Sequence, residues 1–376
     1  MIYANYAATT PTLSETVLEE IRSYLGGVQI SAGRNFEGLG TGTIALRARR
    51  AVANLFGVKN PLRVIFTSGS TASLNMAING LARPGTHVLA TSIEHNATAR
   101  PLYALHQSGV IDLEWLQCEP DGLLDPEKVR KAIRKNTRLL VMSHASNVLG
   151  TIMPVTDCFK IAHEYGIFTI LDAAQTAGVL PWTMGEHCDV VAFTGHKGLS
   201  ALAGVGGFVI SERASTEMRT FVSGGTGSYS QSLDMPDFLP DKFEPGTQNT
   251  LGILSLAASV EEILRIGVEN IREKDLSCVM RFMAGLQNIK KITQYGTLDP
   301  ARRVAAVSVT VEGYDAAEAS QSLFEKHGIV TRTGLHCSPL AHKTAGTFPG
   351  GTVRFSFGRG STDAEIDTIL EVLAGF

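Results

Sequence analysis

FTILDAAQTAGVLPWTMGEHCDVVAFTGHKGLS, residues 168–200, contains two short apolar runs, each leading to a charged residue. FTIL (168–171) runs directly into Asp172, and VVAFT (190–194) leads through Gly195 and His196 to Lys197. Neither run alternates apolar with polar. A strand covered on one face alternates, whereas a strand covered on both faces is continuously apolar. Both runs are therefore expected as inner strands of a parallel sheet with helices on each side. The same texture extends outward from them. Strands are expected at Arg63–Phe66, His87–Ser92, Ile111–Leu116, Arg138–Ser143 and Gly207–Ile210. Helical periodicity fills Thr71–Leu81, Ala97–Gln107, Pro126–Ile133 and Val155–Tyr165. Strands alternating with helices imply a three-layer α/β domain with a mostly parallel sheet.

Past Ile210 the texture changes. Ser223–Ser232 is rich in Gly, Ser and Thr, and Met235–Pro245 carries three prolines. An irregular stretch of that length in a compact chain reads as a functional loop rather than a linker. Helices at Leu251–Ile266, Glu269–Asn288 and Ala316–His327 follow, with strands at Ala305–Val311 and Val353–Phe357. A last helix, capped by Ser361 or Thr362, completes a smaller α+β domain. The expected division is a large domain over 14–250, and a small one built from 1–13 with 251–376.

Composition excludes several classes. The 376 residues carry 33 Lys+Arg against 36 Asp+Glu, a net charge of −3, which argues against a generic nucleic-acid or acidic-membrane partner. No apolar run reaches the roughly 20 residues needed to span a bilayer. The opening MIYANYAATTPTL has no basic segment followed by an apolar one, so it is not read as a secretory signal. A soluble cytoplasmic protein is expected. The five cysteines (Cys118, Cys158, Cys188, Cys278, Cys337) form no CxxC pair and no metal motif, so neither a disulfide framework nor a metal site is expected.

Four constellations carry chemistry. Asp172 and Lys197 both follow sheet strands, and open α/β sheets bind ligands at the carboxyl ends of their strands. One reading of the pair is a buried salt bridge. The other is a Schiff-base lysine for pyridoxal phosphate, with the carboxylate against the pyridinium nitrogen. FTSGSTASLNMAI (66–78) brings a strand into Gly69, Ser70 and Thr71 at a helix start, either a phosphate cradle or a plain cap. It lacks the P-loop lysine, and GLGTG (38–42) lacks the dinucleotide spacing. His95, in IEHNAT, is either structural or stacked on a cofactor ring. Asn147 and Gln175 are strand-end amides suited to a ring hydroxyl, a substrate carboxylate or a turn. In TRTGLHCSPLAHK (331–343), Cys337 follows His336 in a Gly/Pro-punctuated loop with Arg332 and Lys343 nearby. Positive neighbours favour a thiolate, so this cysteine, unlike the other four, has the setting of a nucleophile. Arg354 is the one charge in the strand VRFSF and needs a carboxylate, the protein's or a substrate's. A nicotinamide dehydrogenase lacks its glycine fingerprint here, and a non-catalytic scaffold has no need of charges in apolar strands.

Taken in order, NYAATTP (5–11), FTSGSTAS (66–73), IEHNA (93–97), SNVLGT (146–151), LDAAQTAG (171–178), TGHK (194–197), FEPGTQNT (243–250), RTGLHC (332–337) and VRFSFGRGSTDAEID (353–367) cover nearly the whole chain. The set resembles the cysteine desulfurase/selenocysteine lyase family, in the class V aminotransferase group of fold-type I pyridoxal-phosphate enzymes. The resemblance implies a Schiff base on Lys197, Asp172 on the pyridine nitrogen, His95 stacked on the ring and Gln175 on the ring hydroxyl. Ser70, Thr71, Thr194 and His196 then hold the phosphate, with Thr247 supplied by a second subunit of a homodimer. Asn147 and Arg354 bind the substrate carboxylate. Cys337 accepts sulfur from L-cysteine as a persulfide, leaving alanine, and the sulfur passes on to an acceptor protein or thiol. L-selenocysteine is the alternative substrate. An aminotransferase or cysteine β-lyase would need Lys197 and Asp172 but not Cys337. Two departures stand out. Asn5 replaces an aspartate common in the family, which reads as minor, and the loop around Cys337 is short and carries RTGxHC, like one subgroup of the family, while the following PLAHKTAG is similar to a less characterised branch.

Overall fold

In the computed structural model, residues 1–27 and 41–376 are described. The GLGTG run starts outside them, since Gly38–Gly40 fall in the undescribed stretch. The strands are β1 (Ile2–Tyr3), β2 (Val64–Thr67), β3 (Thr86–Thr91), β4 (Ile111–Leu116), β5 (Thr137–Ser143), β6 (Phe168–Asp172), β7 (Val190–Thr194), β8 (Gly206–Ile210), β9 (Ile292–Tyr295), β10 (Ala306–Val311), β11 (Ile329–Val330), β12 (Arg332–Gly334) and β13 (Thr352–Ser356). The helices are α1 (Glu15–Gly26), α2 (Thr41–Leu55), α3 (Ser70–Leu81), α4 (Asn96–Gln107), α5 (Pro126–Ala132), α6 (Val155–Glu164), α7 (Glu212–Glu217), α8 (Thr250–Ile266), α9 (Val268–Leu286), α10 (Ala316–His327), α11 (Pro339–Thr344) and α12 (Asp363–Ala374).

Seven strands form one sheet in the order β2-β8-β7-β6-β5-β3-β4, parallel except for β8, which runs antiparallel to both neighbours. FTILD and VVAFT are buried along their whole length, as their continuous apolar character requires. One face of the sheet is covered by α3, α4 and α7, which contribute Leu74, Leu102 and Ala214 to its core. The other is covered by α2, α6 and α8, through Val52, Phe159 and Leu256. The result is the three-layer α/β arrangement expected from the sequence.

A four-stranded antiparallel sheet, β12-β13-β10-β9, packs on α9, α10 and α12 around Phe282, Leu323, Phe355 and Ile369. The N-terminal arm joins this second core. β1 pairs in parallel with β11, and Ser356 N–H donates to the Ala4 carbonyl at 2.8 Å. The structure differs from the sequence-based division at α8. Leu251–Ile266, assigned above to the smaller unit, places Ile253, Leu256, Val260 and Ile263 in the core under the large sheet and packs on α1 and α2. Its apolar stripe covers that sheet, so the large unit extends to Gly267.

Candidate active site

The carboxyl ends of β2, β3, β5, β6 and β7 converge on one cavity of about 230 Å³. Its walls include Ser70, Thr71, His95, Asn147, Asp172, Gln175, Thr194, His196 and Lys197. Parallel strands deliver all their carboxyl ends to one edge, which is why residues so far apart in sequence meet there. Arg354 and Cys337 do not line this cavity but lie close to it; their charges, with that of Arg332, act on Lys197. Thr247 is exposed and does not line this cavity.

Lys197 and Asp172 share the cavity without forming an ion pair. Among the described residues no carboxylate lies within 4.0 Å of the Lys197 ammonium, and Nζ has no hydrogen-bond partner, so the salt-bridge alternative fails. The turn carrying Lys197 is held from outside, by Thr10 Oγ1 donating to the Lys197 carbonyl at 2.7 Å and Thr10 N–H to the His196 carbonyl at 2.8 Å. Burial pushes the ammonium down to about 8; Asp172 opposes that shift, and the Arg354 and Arg332 charges reinforce it. Asp172 Oδ1 accepts from Ser70 Oγ at 3.0 Å and from Ala174 N–H at 2.9 Å. Its second oxygen is left for a ligand.

Across the cavity, α3 begins after Gly69, whose φ of 146° is one that side-chain-bearing residues rarely adopt. The helix has no side-chain cap, and the N–H groups of Ser70, Thr71 and Ala72 face the cavity without an acceptor. Three unspent donors and the positive end of a helix suit an anion. The hydroxyls of Thr71 and Thr194 are also unspent. The Ser70 hydroxyl is not, since it donates to Asp172, so only its backbone N–H is left for the phosphate contact expected of it. His196 Nδ1 lies 3.2 Å from Thr9 Oγ1. Gln175 Nε2 donates to the Ala7 carbonyl at 3.0 Å, again tying the arm to the cavity.

His95 caps α4 with its own ring, Nδ1 accepting from Ala97 N–H at 3.0 Å. That bond fixes the ring and puts the imidazole proton on Nε2. Burial pushes the group down to about 4, so it stays neutral. Just before it in the chain is a residue that the sequence did not single out. Glu94 is fully buried and accepts from Thr91 Oγ1 and from both Ser143 N–H and Ser143 Oγ. Burial raises its carboxyl to about 7. Its only signal in the sequence was a carboxylate directly after an apolar strand.

Cys337 is exposed, whereas the other four cysteines are buried. Arg332 Nη2 donates to its Sγ at 3.7 Å. Asn96 N–H, beside His95, donates to the Cys337 carbonyl at 2.8 Å and docks the loop at the cavity rim. Asn147, expected to meet a substrate carboxylate, lines the cavity and is also tied to this loop, with one Nδ2 hydrogen left over. Its Nδ2 donates to the His336 carbonyl at 2.8 Å, and its Oδ1 accepts from Ser338 Oγ at 2.6 Å. Arg354 is fully buried. Nη1 donates to the Asn147 carbonyl at 2.9 Å and Nη2 to Asn5 Oδ1 at 3.1 Å, while Nε has no partner. Burial pushes the guanidinium down to about 9. Among the described residues no carboxylate pairs with it. Asn5, a minor departure by sequence, is thus in direct contact with the buried cation.

The model of the aminotransferase class-V family matches residues 2–369. A protein of Methanothermobacter thermautotrophicus named probable cysteine desulfurase is 31% identical over 99% of this chain and 94% of its own length. The cysteine desulfurase IscS of Dictyoglomus turgidum is 29% identical over 99% and 93%. The apo structure of a cysteine desulfurase from Thermococcus onnurineus superposes with a TM-score of 0.92 at 28% identity, covering 100% of this chain and 94% of that one. With the family model matched almost end to end and a relative above 30% identity spanning both chains, the protein belongs to the aminotransferase class-V family.

Proposed function

We propose that the protein is a pyridoxal-phosphate-dependent cysteine desulfurase that takes sulfur from L-cysteine onto Cys337 and releases alanine. One observation carries this reading: an exposed thiol with an arginine donating to it, docked beside His95 at the rim of a cavity that holds an unpaired lysine. An aminotransferase or β-lyase has no use for that thiol.

The donor set fits the cofactor. The N–H groups of Ser70, Thr71 and Ala72, with the Thr71 and Thr194 hydroxyls and His196, suit a phosphate dianion. The free oxygen of Asp172 suits a protonated ring nitrogen, the neutral His95 ring a stacking contact, and the unpaired Lys197 amine an aldehyde. When bound, pyridoxal phosphate supplies an electron sink for negative charge developing at the substrate Cα. The remaining work falls to side chains. Arg354, lacking any carboxylate of the protein, receives that of the substrate, with Asn147 orienting it through its backbone carbonyl. Lys197, with its ammonium near 8, offers enough neutral amine at physiological pH to take the Cα proton. Arg332 holds the Cys337 sulfur by donating to Sγ. The thiolate attacks the substrate sulfur, the new S–S bond forms as the Cβ–S bond breaks, and the electron pair stays on carbon. Sulfur is oxidised as Cβ is reduced, and protonation completes the alanine methyl.

We also read the enzyme as a homodimer in which Thr247 reaches the partner's phosphate site. Thr247 is exposed and outside its own cavity, and the loop before it exposes Phe221, Tyr229 and Leu233, apolar surface suited to a second copy. No helix among the described residues is long and apolar enough to cross a membrane, in keeping with a cytoplasmic enzyme. Purified protein given L-cysteine should yield equimolar alanine and sulfide in the presence of a thiol acceptor, and Cys337→Ala should lower that rate at least about 100-fold. Pyruvate as product, or an unchanged rate in Cys337→Ala, overturns the reading. If L-selenocysteine alone is turned over, and without need of Cys337, the enzyme is a selenocysteine lyase.

A further inference from the structure

Behind Cys337 the chain buries two histidines that take no part in the cavity. His342 is fully buried and His336 nearly so, with their rings parallel at 16° and their centroids 5.5 Å apart. Buried ring nitrogens need partners, and here all four have one. Thr347 Oγ1 is 2.7 Å from His342 Nδ1, His342 Nε2 is 3.3 Å from His336 Nδ1, and His336 Nε2 is 3.2 Å from the Arg332 carbonyl. A carbonyl only accepts, so His336 Nε2 carries the proton. In a neutral ring Nδ1 must then accept, so His342 Nε2 donates to it, and His342 Nδ1 accepts from the Thr347 hydroxyl. The chain runs in one direction, from Thr347 through both imidazoles to the backbone of Arg332. An added proton would set two N–H donors against each other. Burial opposes that proton, pushing His336 down to about 3 and His342 to about 4.

This chain ends where the thiol is held. His336 and Cys337 both sit in the left-handed region, with φ of 50° and 58°. Two consecutive side-chain-bearing residues there are strained and persist only when their surroundings hold them. Asn147 and Asn96 hold the loop by the His336 and Cys337 carbonyls, and Ser338 Oγ ties it to the Asn147 Oδ1; the His336 side chain is held by His342. Arg332 joins the two parts, since its carbonyl ends the chain and its guanidinium contacts Sγ.

We propose that the Thr347–His342–His336 hydrogen-bond chain positions Cys337 for sulfur transfer, by locking the left-handed turn that presents Sγ to Arg332. His342 and Thr347 are then positioning residues, remote from substrate and cofactor. The proposal rests on Cys337 being the sulfur acceptor.

Three changes in the holoenzyme test it. His342→Phe keeps a ring to stack but removes both hydrogen bonds, His342→Gln restores a donor and an acceptor, and Thr347→Val removes the first donor. His342→Phe should slow single-turnover persulfide formation about tenfold, the order expected when a buried hydrogen-bonding group loses its partner, with KM changed less than about twofold. Thr347→Val should act in the same direction, and His342→Gln should stay within about twofold of the unmodified enzyme. Without substrate, the rate of alkylation of Cys337 by iodoacetamide should change about threefold in His342→Phe and not in His342→Gln, because the turn no longer holds Sγ where Arg332 donates to it. Wild-type behaviour of His342→Phe in both assays, or a Gln variant no better than Phe, overturns the proposal and leaves packing as the only role. Should His342→Phe not fold, Thr347→Val against Thr347→Ser decides in the same way. If Cys337→Ala desulfurates cysteine normally, the functional reading fails, and the alkylation comparison alone still decides whether the chain positions the thiol.

Discussion

Arg354 is the residue whose surroundings say most about substrate. A fully buried guanidinium without a counter-ion is expensive, on the order of several kcal/mol, and Asn5 offers it only a neutral oxygen. The carboxylate it lacks is left for the substrate to supply. Arg354→Gln is therefore expected to raise KM for L-cysteine at least about tenfold, or about 1.4 kcal/mol, with kcat changed less; steady-state kinetics check this, and an unchanged KM removes Arg354 as the carboxylate site. Lys197 yields a second prediction. The neutral amine is the form that reacts with an aldehyde, and burial brings the group to about 8. Uptake of pyridoxal phosphate by the apoprotein should therefore accelerate with rising pH and level off above about pH 8; a rate still climbing steeply at pH 10 would show an amine that burial does not perturb. Lys197, Asp172, Arg354 and Cys337 were all legible in sequence, because each is a charge or thiol in a setting that does not ordinarily tolerate one. The hydrogen bonds of Ser70 and Asn147 were not. Their donors and acceptors suit a ligand and a neighbouring side chain equally well, and only the fold decides that Asp172 and the His336–Ser338 turn come within reach.

At the scale of elements, the junction of β2 and α3 does more for the site than any one side chain. Gly69 lets the chain turn so that three N–H groups face the cavity, and a Cβ there would meet Thr194 Oγ1 at 3.3 Å as well as an unfavourable φ. Gly69→Ala should cost about 1–2 kcal/mol of stability and weaken pyridoxal phosphate at least about tenfold, read by melting and by titration of the apoprotein. A cofactor affinity equal to wild type would show that the phosphate lies elsewhere. The inner parallel strands were readable because burial on both faces leaves a continuous apolar run. The direction of β8 was not: GGFVI is apolar read either way, and the lack of a helix between Thr194 and Gly206 was the sole hint of a reversal. The allegiance of α8 was hidden for a related reason. An apolar stripe states that a helix packs, not which sheet it packs on, and only the contacts of Ile253, Val260 and Ile263 settle that it covers the large sheet.

At the scale of the molecule, one anticipated ligand is missing from its own cavity. Thr247 follows closely on Glu244, whose buried carboxylate pairs with Arg49 and accepts from Phe66 N–H at 2.6 Å. The segment is thus anchored at its base while Thr247 points to solvent. In the proposed dimer this outward-facing hydroxyl serves the other subunit, since a closed two-fold pair lets each copy serve its partner. Subunit mixing separates service in trans from service in cis. Lys197→Ala dimers should be inactive, and Thr247→Ala dimers should bind pyridoxal phosphate weakly enough to be nearly inactive when it is limiting. If Thr247 acts in trans, the hybrid dimer gathers both defects into one site and leaves the other intact. Random reassociation of equal amounts then makes half the dimers hybrid, each with one good site of two, and activity should return to about a quarter of wild type. If Thr247 acts in cis, every site in the mixture carries one defect or the other. Activity then stays at the mean of the two parents, and the shared-site dimer is wrong.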